Sequence, residues 1–385
     1  MKFHDSDLTV SEFEKMGLPT KLMAALIKIG LDKPTPIQAE AIPVALKGSN
    51  LIGVAQTGSG KTLAYALSVL TTLFEKTEAR ALILLPSRET AVQVHSVILP
   101  LCTELDLTVC LAVAGIPNAI QTKELKKIPR LIIATPGRLE EHLKNNKLML
   151  KGLSILVLDE ADRMLSMGFE AQLAFMKRTL RASHQTLMFA ATFGPWAEPI
   201  AEMFMEKEAV LIKSKAAETP VTTLEQKVFF LSPQQKQNRL LDELRRMKDG
   251  VILFADSQEN CVSLGRLLTH HHFSSDFMHG DMNPGHRNRV LRDFREEKIQ
   301  ILVTTDLLAR GLDVPHVKHV VNYDLPYKAE DFLHRIGRTA RAGRSGSAIT
   351  FVTPADGRTY RKIKSYLQGA VEVKLASNFK FEDRG

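Results

Sequence analysis

Ala55-Gln56-Thr57-Gly58-Ser59-Gly60-Lys61-Thr62 is the stretch whose reading decides the fold. It follows the apolar run Leu51-Ile52-Gly53-Val54, which reads as a buried strand. It precedes Leu63, Leu67, Leu70 and Phe74, which recur at helical spacing. A glycine-rich turn between a strand and a helix offers backbone N–H groups to phosphate, and the helix N-terminus adds its dipole. Lys61 supplies a point charge for the β- and γ-phosphates, and the Thr62 hydroxyl can ligate Mg²⁺. The generic pattern opens with glycine, whereas this chain has Ala55. A Gly-Lys-Thr triplet alone reads as a surface turn; the strand before it and the helix after it give it the phosphate reading.

Working outward, further continuous apolar runs end in polar clusters. Ala81–Leu85 leads into Pro86-Ser87-Arg88-Glu89, and Leu131–Ala134 leads into Thr135-Pro136-Gly137-Arg138. Ile155–Leu158 leads into Asp159-Glu160-Ala161-Asp162, and Leu187-Met188-Phe189 into Ala190-Ala191-Thr192. Unbroken apolar strands alternating with helical stretches predict a parallel sheet covered on both faces. Ligands of such sheets bind beyond the carboxyl ends of the strands, where all these clusters fall. Upstream, Leu22, Leu26 and Ile29 share a predicted helix face that Gly30 ends. Pro34 and Pro36 predict a stiff, extended connection holding Gln38 ahead of a helix over 39–46. The Gln38 amide both donates and accepts, so it can pair with an adenine edge.

The polar stretch 213–223 lacks periodicity and reads as an interdomain linker, which predicts domains at 1–212 and 224–385. The second half repeats the rhythm with strands at 251–254, 275–278, 301–303, 319–321 and 348–352. Asp256-Ser257, His279-Gly280-Asp281, Thr304-Thr305-Asp306 and His334–Arg341 follow them. It has no Gly-Lys-Thr loop and so is expected to assist at a nucleotide held by the first half. A structural duplication is expected, although the two sequences do not show it. The fold class is therefore α/β, two parallel sheets flanked by helices.

The net charge of +8 is spread over both halves, which suits a polyanion partner without requiring one. Cys102, Cys110 and Cys261 form no pair at metal or disulfide spacing and read as buried thiols of a reducing compartment. No apolar run reaches membrane-spanning length and the N-terminus lacks a signal-peptide core, so an intracellular, cytoplasmic protein without membrane contact is expected. His270-His271-His272 reads as solvated, because consecutive helical residues do not face one another.

Asp159 is placed to hold Mg²⁺, largely through water, and Glu160 to orient and deprotonate an attacking water. Four arginines fall within His334–Arg344. Some of them are expected to neutralise charge on a transferring phosphate, and Arg338 and Arg341, three apart, share a helix face.

Together these residues resemble the DEAD-box family of ATP-dependent RNA helicases of superfamily 2, over nearly the whole chain from Phe13 to about Val352. Asp159-Glu160-Ala161-Asp162 is the namesake tetrapeptide, and Phe13 with Pro34–Gln38 resembles the adenine-selecting Q motif. The resemblance implies two RecA-like domains closing over ATP, with Mg²⁺, and a single RNA strand whose bending expels a duplex partner. It assigns Lys61, Asp159, Glu160, Arg338 and Arg341 to catalysis. Phe13, Leu31, Gln38, Ala55 to Thr62 and Asp313, in Arg310-Gly311-Leu312-Asp313, go to ATP. Pro86, Arg88, Gly115, Thr135, Arg138, Ser257, Arg287 and Thr305 go to RNA, and Asp162, Ala190, Thr192 and His334 to coupling. Partners implied are single-stranded or duplex RNA and ribonucleoproteins, with the protein acting as a monomer.

Several positions depart from the family pattern. Leu31 stands where an aromatic stacks on adenine, and Ser87 and Thr90 replace Thr and Leu. Ala114-Gly115 stands for two glycines, Ala190 for serine, Pro284 for glutamine and Ala340 for glycine. The reading is an RNA-dependent ATPase that separates short duplexes or remodels RNA–protein complexes. Its rivals are a DNA helicase or translocase, an ATP-gated RNA clamp that unwinds little, and a degenerate pseudoenzyme, which the retained Lys61 and Glu160 disfavour.

Overall fold

The apolar runs form two all-parallel, seven-stranded sheets. In the first lie β1 (Asn50–Val54), β2 (Arg80–Leu84), β3 (Val109–Ala112), β4 (Leu131–Ala134), β5 (Leu153–Asp159), β6 (Gln185–Ala190) and β7 (Ala209–Lys213). Their order across the sheet is β3-β4-β2-β5-β6-β1-β7. The second holds β8 (Leu224–Phe230), β9 (Gly250–Phe254), β10 (Ser275–Met278), β11 (Ile301–Thr304), β12 (Val317–Asn322), β13 (Gly346–Val352) and β14 (Val373–Leu375). Its order, β10-β11-β9-β12-β13-β8-β14, repeats the first strand for strand. The expected duplication is thus present in the topology although the sequences conceal it.

This computed structural model describes residues 12–31, 33–55, 58–180, 184–191, 194, 197–205, 208–213, 224–306, 314, 316–327, 329–340, 345–366 and 373–375. Gln56, Thr57, Thr192, Asp313, Arg341 and the stretch 214–223 lie outside the described residues. Lys213, counted with the linker, ends β7. The chain divides into two units, Met1–Ala217 and Glu218–Gly385.

Each sheet is buried on both faces because successive strand residues point to opposite sides. Ala81 and Ile83 enter one core and Leu82 and Leu84 the other. In the second unit Ile252 and Phe254 face one core and Val251 and Leu253 the other. Among the described residues nine helices flank the first sheet: α1 (Thr20–Lys28), α2 (Pro36–Leu46), α3 (Lys61–Glu75), α4 (Arg88–Glu104), α5 (Asn118–Lys126), α6 (Pro136–Asn145), α7 (Ala161–Ser166), α8 (Glu170–Thr179) and α9 (Ala197–Phe204). The described helices of the second unit are α10 (Lys236–Leu244), α11 (Gln258–His270), α12 (Pro284–Arg295), α13 (Ala329–Ile336) and α14 (Gly357–Tyr366). Among the described residues no helix is long and apolar enough to cross a membrane.

Several local expectations are corrected. Helix α2 begins at Pro36, not Ala39, so Gln38 sits in its first turn rather than in an extended connection. Proline fits the first helical position, where no N–H is required. Ile29 caps α1 and is 49% exposed, off the buried face of Leu22 and Leu26, and Phe74 is likewise exposed at the end of α3. Strands β3, β7, β8 and β14 add to the expected set: Val109–Ala112 and Ala209–Ile212 are apolar throughout, whereas polar and charged residues interrupt β8 and β14. Three of them are sheet edges, where one side of the strand has no neighbour to bury it. The three cysteines are buried, unpaired thiols, and burial pushes them up to about 12, about 11 and about 12 for Cys102, Cys110 and Cys261.

Candidate functional site

All strands of a parallel sheet end on one edge, so strand order dictates which loops are neighbours. The phosphate-loop residues follow β1, Asp159 and Glu160 end β5, and Ala190 ends β6; these strands are consecutive as β5-β6-β1. The residues read for RNA follow the other consecutive trio. Gly115 follows β3, Thr135 and Arg138 follow β4, and Pro86 and Arg88 follow β2. The carboxyl edge of the first sheet is thereby divided into two halves. In the second sheet Arg287 lies after β10, Thr305 after β11 and Ser257 after β9, which is the corresponding trio.

On the nucleotide half, Gly58 and Gly60 take left-handed backbone, φ +86° and +95°. A Cβ on Gly60 would stand 2.4 Å from Gln38 Nε2, so only glycine lets the loop lie against α2. Gln38 is buried and already engaged: its Oε1 accepts from Thr35 N–H (2.9 Å) and its Nε2 donates to Gly60 O (3.0 Å). One N–H and one lone pair remain for a base edge. Ala55 is fully buried with its N–H on Ala190 O (3.1 Å) and needs no left-handed backbone, which explains why alanine replaces glycine there. Lys61 and Thr62 open α3, Lys61 Nζ donates to Ala55 O, and Ser59 Oγ is buried without a hydrogen-bond partner among the described residues. Phe13 is fully buried in the core beside α1, and Leu31 packs at that core's margin.

Asp159 is 4% exposed. Burial, reinforced by Glu160, pushes its carboxyl up to about 6, against the pull of the Lys61 ammonium. Its carboxylate accepts from Glu160 N–H (2.9 Å) and from the Tyr65 hydroxyl (2.9 Å). Tyr65 was not singled out by sequence. Its hydroxyl ties Asp159 to the helix that Lys61 and Thr62 open. The signal available was its place three residues after Thr62, one turn along the same helix face. Glu160 has left-handed backbone, φ +53°, and its Oε2 accepts from Arg163 Nη1 (3.0 Å), an arginine that is 2% exposed. Non-glycine residues hold that conformation at a cost. A half-buried Thr62 hydroxyl, the buried Asp159 carboxylate, a glycine cradle and a serine hydroxyl without a partner among the described residues fit a magnesium-bound nucleoside triphosphate.

On the RNA half, Ser87 caps α4 by accepting from Thr90 N–H (3.2 Å) and lies 2.8 Å from Thr90 Oγ1. The two departures Ser87 and Thr90 thus form a mutual hydrogen bond. Arg138 approaches Glu141 (3.2 Å), while its buried Nε has no hydrogen-bond partner among the described residues. In the second unit Ser257 caps α11 by accepting from Asn260 N–H (3.1 Å), the counterpart of Ser87. Pro284 opens α12 behind the Asn283 cap, so the departure from glutamine suits a first helical position.

Among the arginines near the end of the chain, Arg335 is structural. It is 1% exposed, its Nε and Nη2 pair with Asp306 (2.5 and 2.7 Å), and its Nη1 donates to Asp324 O (2.6 Å). Arg338 is buried with Nε on His334 O (3.0 Å). His334 lies 3.9 Å from Asp331. Ala190 is fully buried at the end of β6 and Asp162 accepts from Arg163 N–H (3.0 Å), while Thr192 is outside the described residues.

A phosphate loop and a strand-end carboxylate on a duplicated parallel sheet define a nucleotide-dependent helicase core. Residues 35–200 match the DEAD/DEAH box helicase model and residues 235–343 the helicase conserved C-terminal domain. The chain is 37% identical over 379 residues to DEAD-box ATP-dependent RNA helicase 20 of Arabidopsis thaliana, covering 96% of this chain and 76% of that protein. ATP-dependent RNA helicase CshA of Listeria monocytogenes is 38% identical over 353 residues, 90% and 67% of the two chains. Among solved structures, S. cerevisiae Dbp5 bound to RNA and ADP BeF3 matches with a TM-score of 0.84 at 30% identity, covering 94% of this chain and 95% of that one. The chain belongs to the DEAD/DEAH-box helicase family, and its two sheets are RecA-like domains.

Proposed function

We propose that this protein is an RNA-stimulated ATPase that separates short RNA duplexes or remodels RNA–protein complexes. The observation that carries this reading is the division of each sheet's carboxyl edge. In both units the RNA-assigned residues follow the same three strands, and in the first unit the other strands present the phosphate loop and Asp159. Relatives named as ATP-dependent RNA helicases and a neighbour bound to RNA and ADP BeF3 support it.

In this reading Thr62 and Asp159 hold Mg²⁺, which when bound offsets phosphate charge. Lys61 meets the β- and γ-phosphates. Glu160, braced by Arg163, orients the attacking water and takes its proton. Arg338 and Arg341 carry the family's phosphate-neutralising role, and Asp313 its ribose contact. Gln38 offers its remaining N–H and lone pair to adenine. Because it also fastens Gly60, Gln38→Ala should raise KM for ATP as well as lower the ATP-over-GTP preference. Monomeric action in the cytoplasm completes the proposal.

The deciding experiment is ATP turnover without nucleic acid, with single-stranded RNA and with single-stranded DNA, at one fixed salt concentration. RNA-selective stimulation supports the reading; equal stimulation by DNA replaces it with a DNA translocase. Ala190 favours a second reading, an ATP-gated RNA clamp. It is fully buried and has no hydroxyl to offer Asp162, where the family has serine. A low yield of strands separated per ATP, raised by Ala190→Ser without change in kcat, supports that coupling defect. An identical ratio in both proteins removes it.

A further inference from the structure

Beneath the RNA half of the first sheet lies a polar pair that none of the motif residues includes. Gln121 on α5 and His142 on α6 are 2% and 4% exposed. Gln121 Nε2 donates to Val113 O (2.7 Å) and to Ile116 O (3.0 Å), the two carbonyls that flank Ala114-Gly115. Both amide hydrogens are thereby used, so Gln121 Oε1 can only accept. The group that faces it is His142 Nε2, at 3.0 Å. That nitrogen must therefore carry the proton, which fixes the tautomer of the neutral ring. Burial, helped by the Arg138 guanidinium and opposed by Glu141, holds the His142 imidazole below its ordinary value, in keeping with a neutral ring.

We infer that Gln121 and His142 form a buried latch that sets the spacing of the RNA-facing segments, making both of them positioning residues for RNA binding. The inference rests on the RNA reading given above. The latch joins the loop after β3, which holds Gly115, to α6, which holds Arg138. The far side of that loop is also fixed. Gly115 has φ +81°, and a Cβ there would stand 3.0 Å from Arg88 Nε, so its backbone lies directly against Arg88. Arg88, the Gly115 loop and the helix of Arg138 thus form one contiguous series whose inner fastening is Gln121–His142. Neither latch residue is exposed enough to meet RNA itself. Two apolar side chains would fill the space but leave the Val113 and Ile116 carbonyls without their donor. What the polar pair adds is a defined position for two loop carbonyls, because a fully satisfied buried network rigidifies its surroundings.

The test measures the RNA concentration giving half-maximal ATPase stimulation, together with KM for ATP and the melting temperature. His142→Leu removes the donor to Gln121 Oε1, whereas His142→Gln restores an N–H at the reach of the imidazole Nε2. His142→Leu should raise the RNA half-saturation about five- to tenfold, the size of one lost buried hydrogen bond, with KM for ATP unchanged. His142→Gln should return it to within about twofold of wild type on the same scale. Gln121→Leu, which frees both carbonyls, should weaken RNA at least as much as His142→Leu. Equal weakening by His142→Leu and His142→Gln overturns the latch, as does a matching change in KM for ATP. Arg88→Ala and Arg138→Ala separate the two layers of the argument. If they weaken RNA and His142→Leu does not, the latch alone fails; if they leave RNA binding unchanged, the RNA face fails and the latch with it.

Discussion

The two units share a strand order and place a lysine and an aspartate at corresponding points, yet they use them in opposite ways. Lys61 is the first residue of the helix after β1, and Lys236 is the first residue of α10 after β8. Asp159 ends β5, and Asp324 lies just past β12, the corresponding strand. In the second unit the pair is closed. Lys236 Nζ lies 2.5 Å from Asp324 Oδ1 and 4.1 Å from the Tyr323 ring centroid, with the side chains 9% and 12% exposed. Asp324 Oδ2 also accepts from Asp256 N–H (3.2 Å), beside Ser257. In the first unit Lys61 turns to its own loop, and Asp159 is held by Tyr65 instead. The difference lies in the preceding turn. Gly58 and Gly60 adopt left-handed backbone and can present N–H groups to phosphate, whereas Ser232-Pro233-Gln234-Gln235 has no glycine and its proline has no N–H. Without an anion cradle, the second lysine and aspartate neutralise each other and brace an RNA-assigned loop.

The comparison breaks most sharply at Glu160. Glu160→Gln keeps shape and hydrogen bonding but loses the base, so kcat should fall by about 10²- to 10⁴-fold with ATP binding retained. An unchanged kcat would show that the first unit's carboxylates do not act as assigned. Next comes the closed pair. Lys236→Met leaves a buried carboxylate unpaired and should destabilise the second unit by about 3 kcal/mol in denaturant unfolding. Lys61→Met, at the corresponding place in the first unit, should abolish turnover at far smaller cost in stability. Similar stability losses would erase the distinction between an open and a closed site.

Tyr65→Phe sharpens the comparison on the open side. It deletes a hydrogen bond to a carboxylate, worth roughly 1.5–3 kcal/mol, so the Mg²⁺ concentration for half-maximal binding of a fluorescent nucleotide should rise about tenfold. Titration curves that superimpose would mean that Tyr65 only fills space. The smallest effect belongs to Ala340. Its φ is +54°, in the region that glycine occupies without strain, and the family pattern has glycine there. Ala340→Gly should stabilise the second unit by about 0.5–1 kcal/mol in thermal unfolding, through relief of that strain.

Sequence alone determined the chemistry and the class of fold. Glycine, lysine and threonine between an apolar run and a helical repeat have few other uses, and continuous apolar strands have few stable arrangements besides a covered parallel sheet. The cysteine burial and the start of the nucleotide helix were legible for the same local reason. What only the tertiary structure decided was non-local. The strand order put the RNA-assigned loops after β3, β4 and β2 beside one another, although chain order interleaves them with other elements. Strands β8 and β14 escaped notice because polar and charged residues interrupt their apolar pattern. Tyr65 belongs to no motif, and it is the fold that brings its hydroxyl to Asp159, 94 residues away. Gln121 and His142 belong to no motif either; the fold brings Gln121 to the loop carbonyls of Val113 and Ile116, and His142 to Gln121. Propensity and motif spacing report on neighbours in the chain. Which polar groups meet in a dry interior is set by how the layers stack, because every buried donor and acceptor must find its partner there.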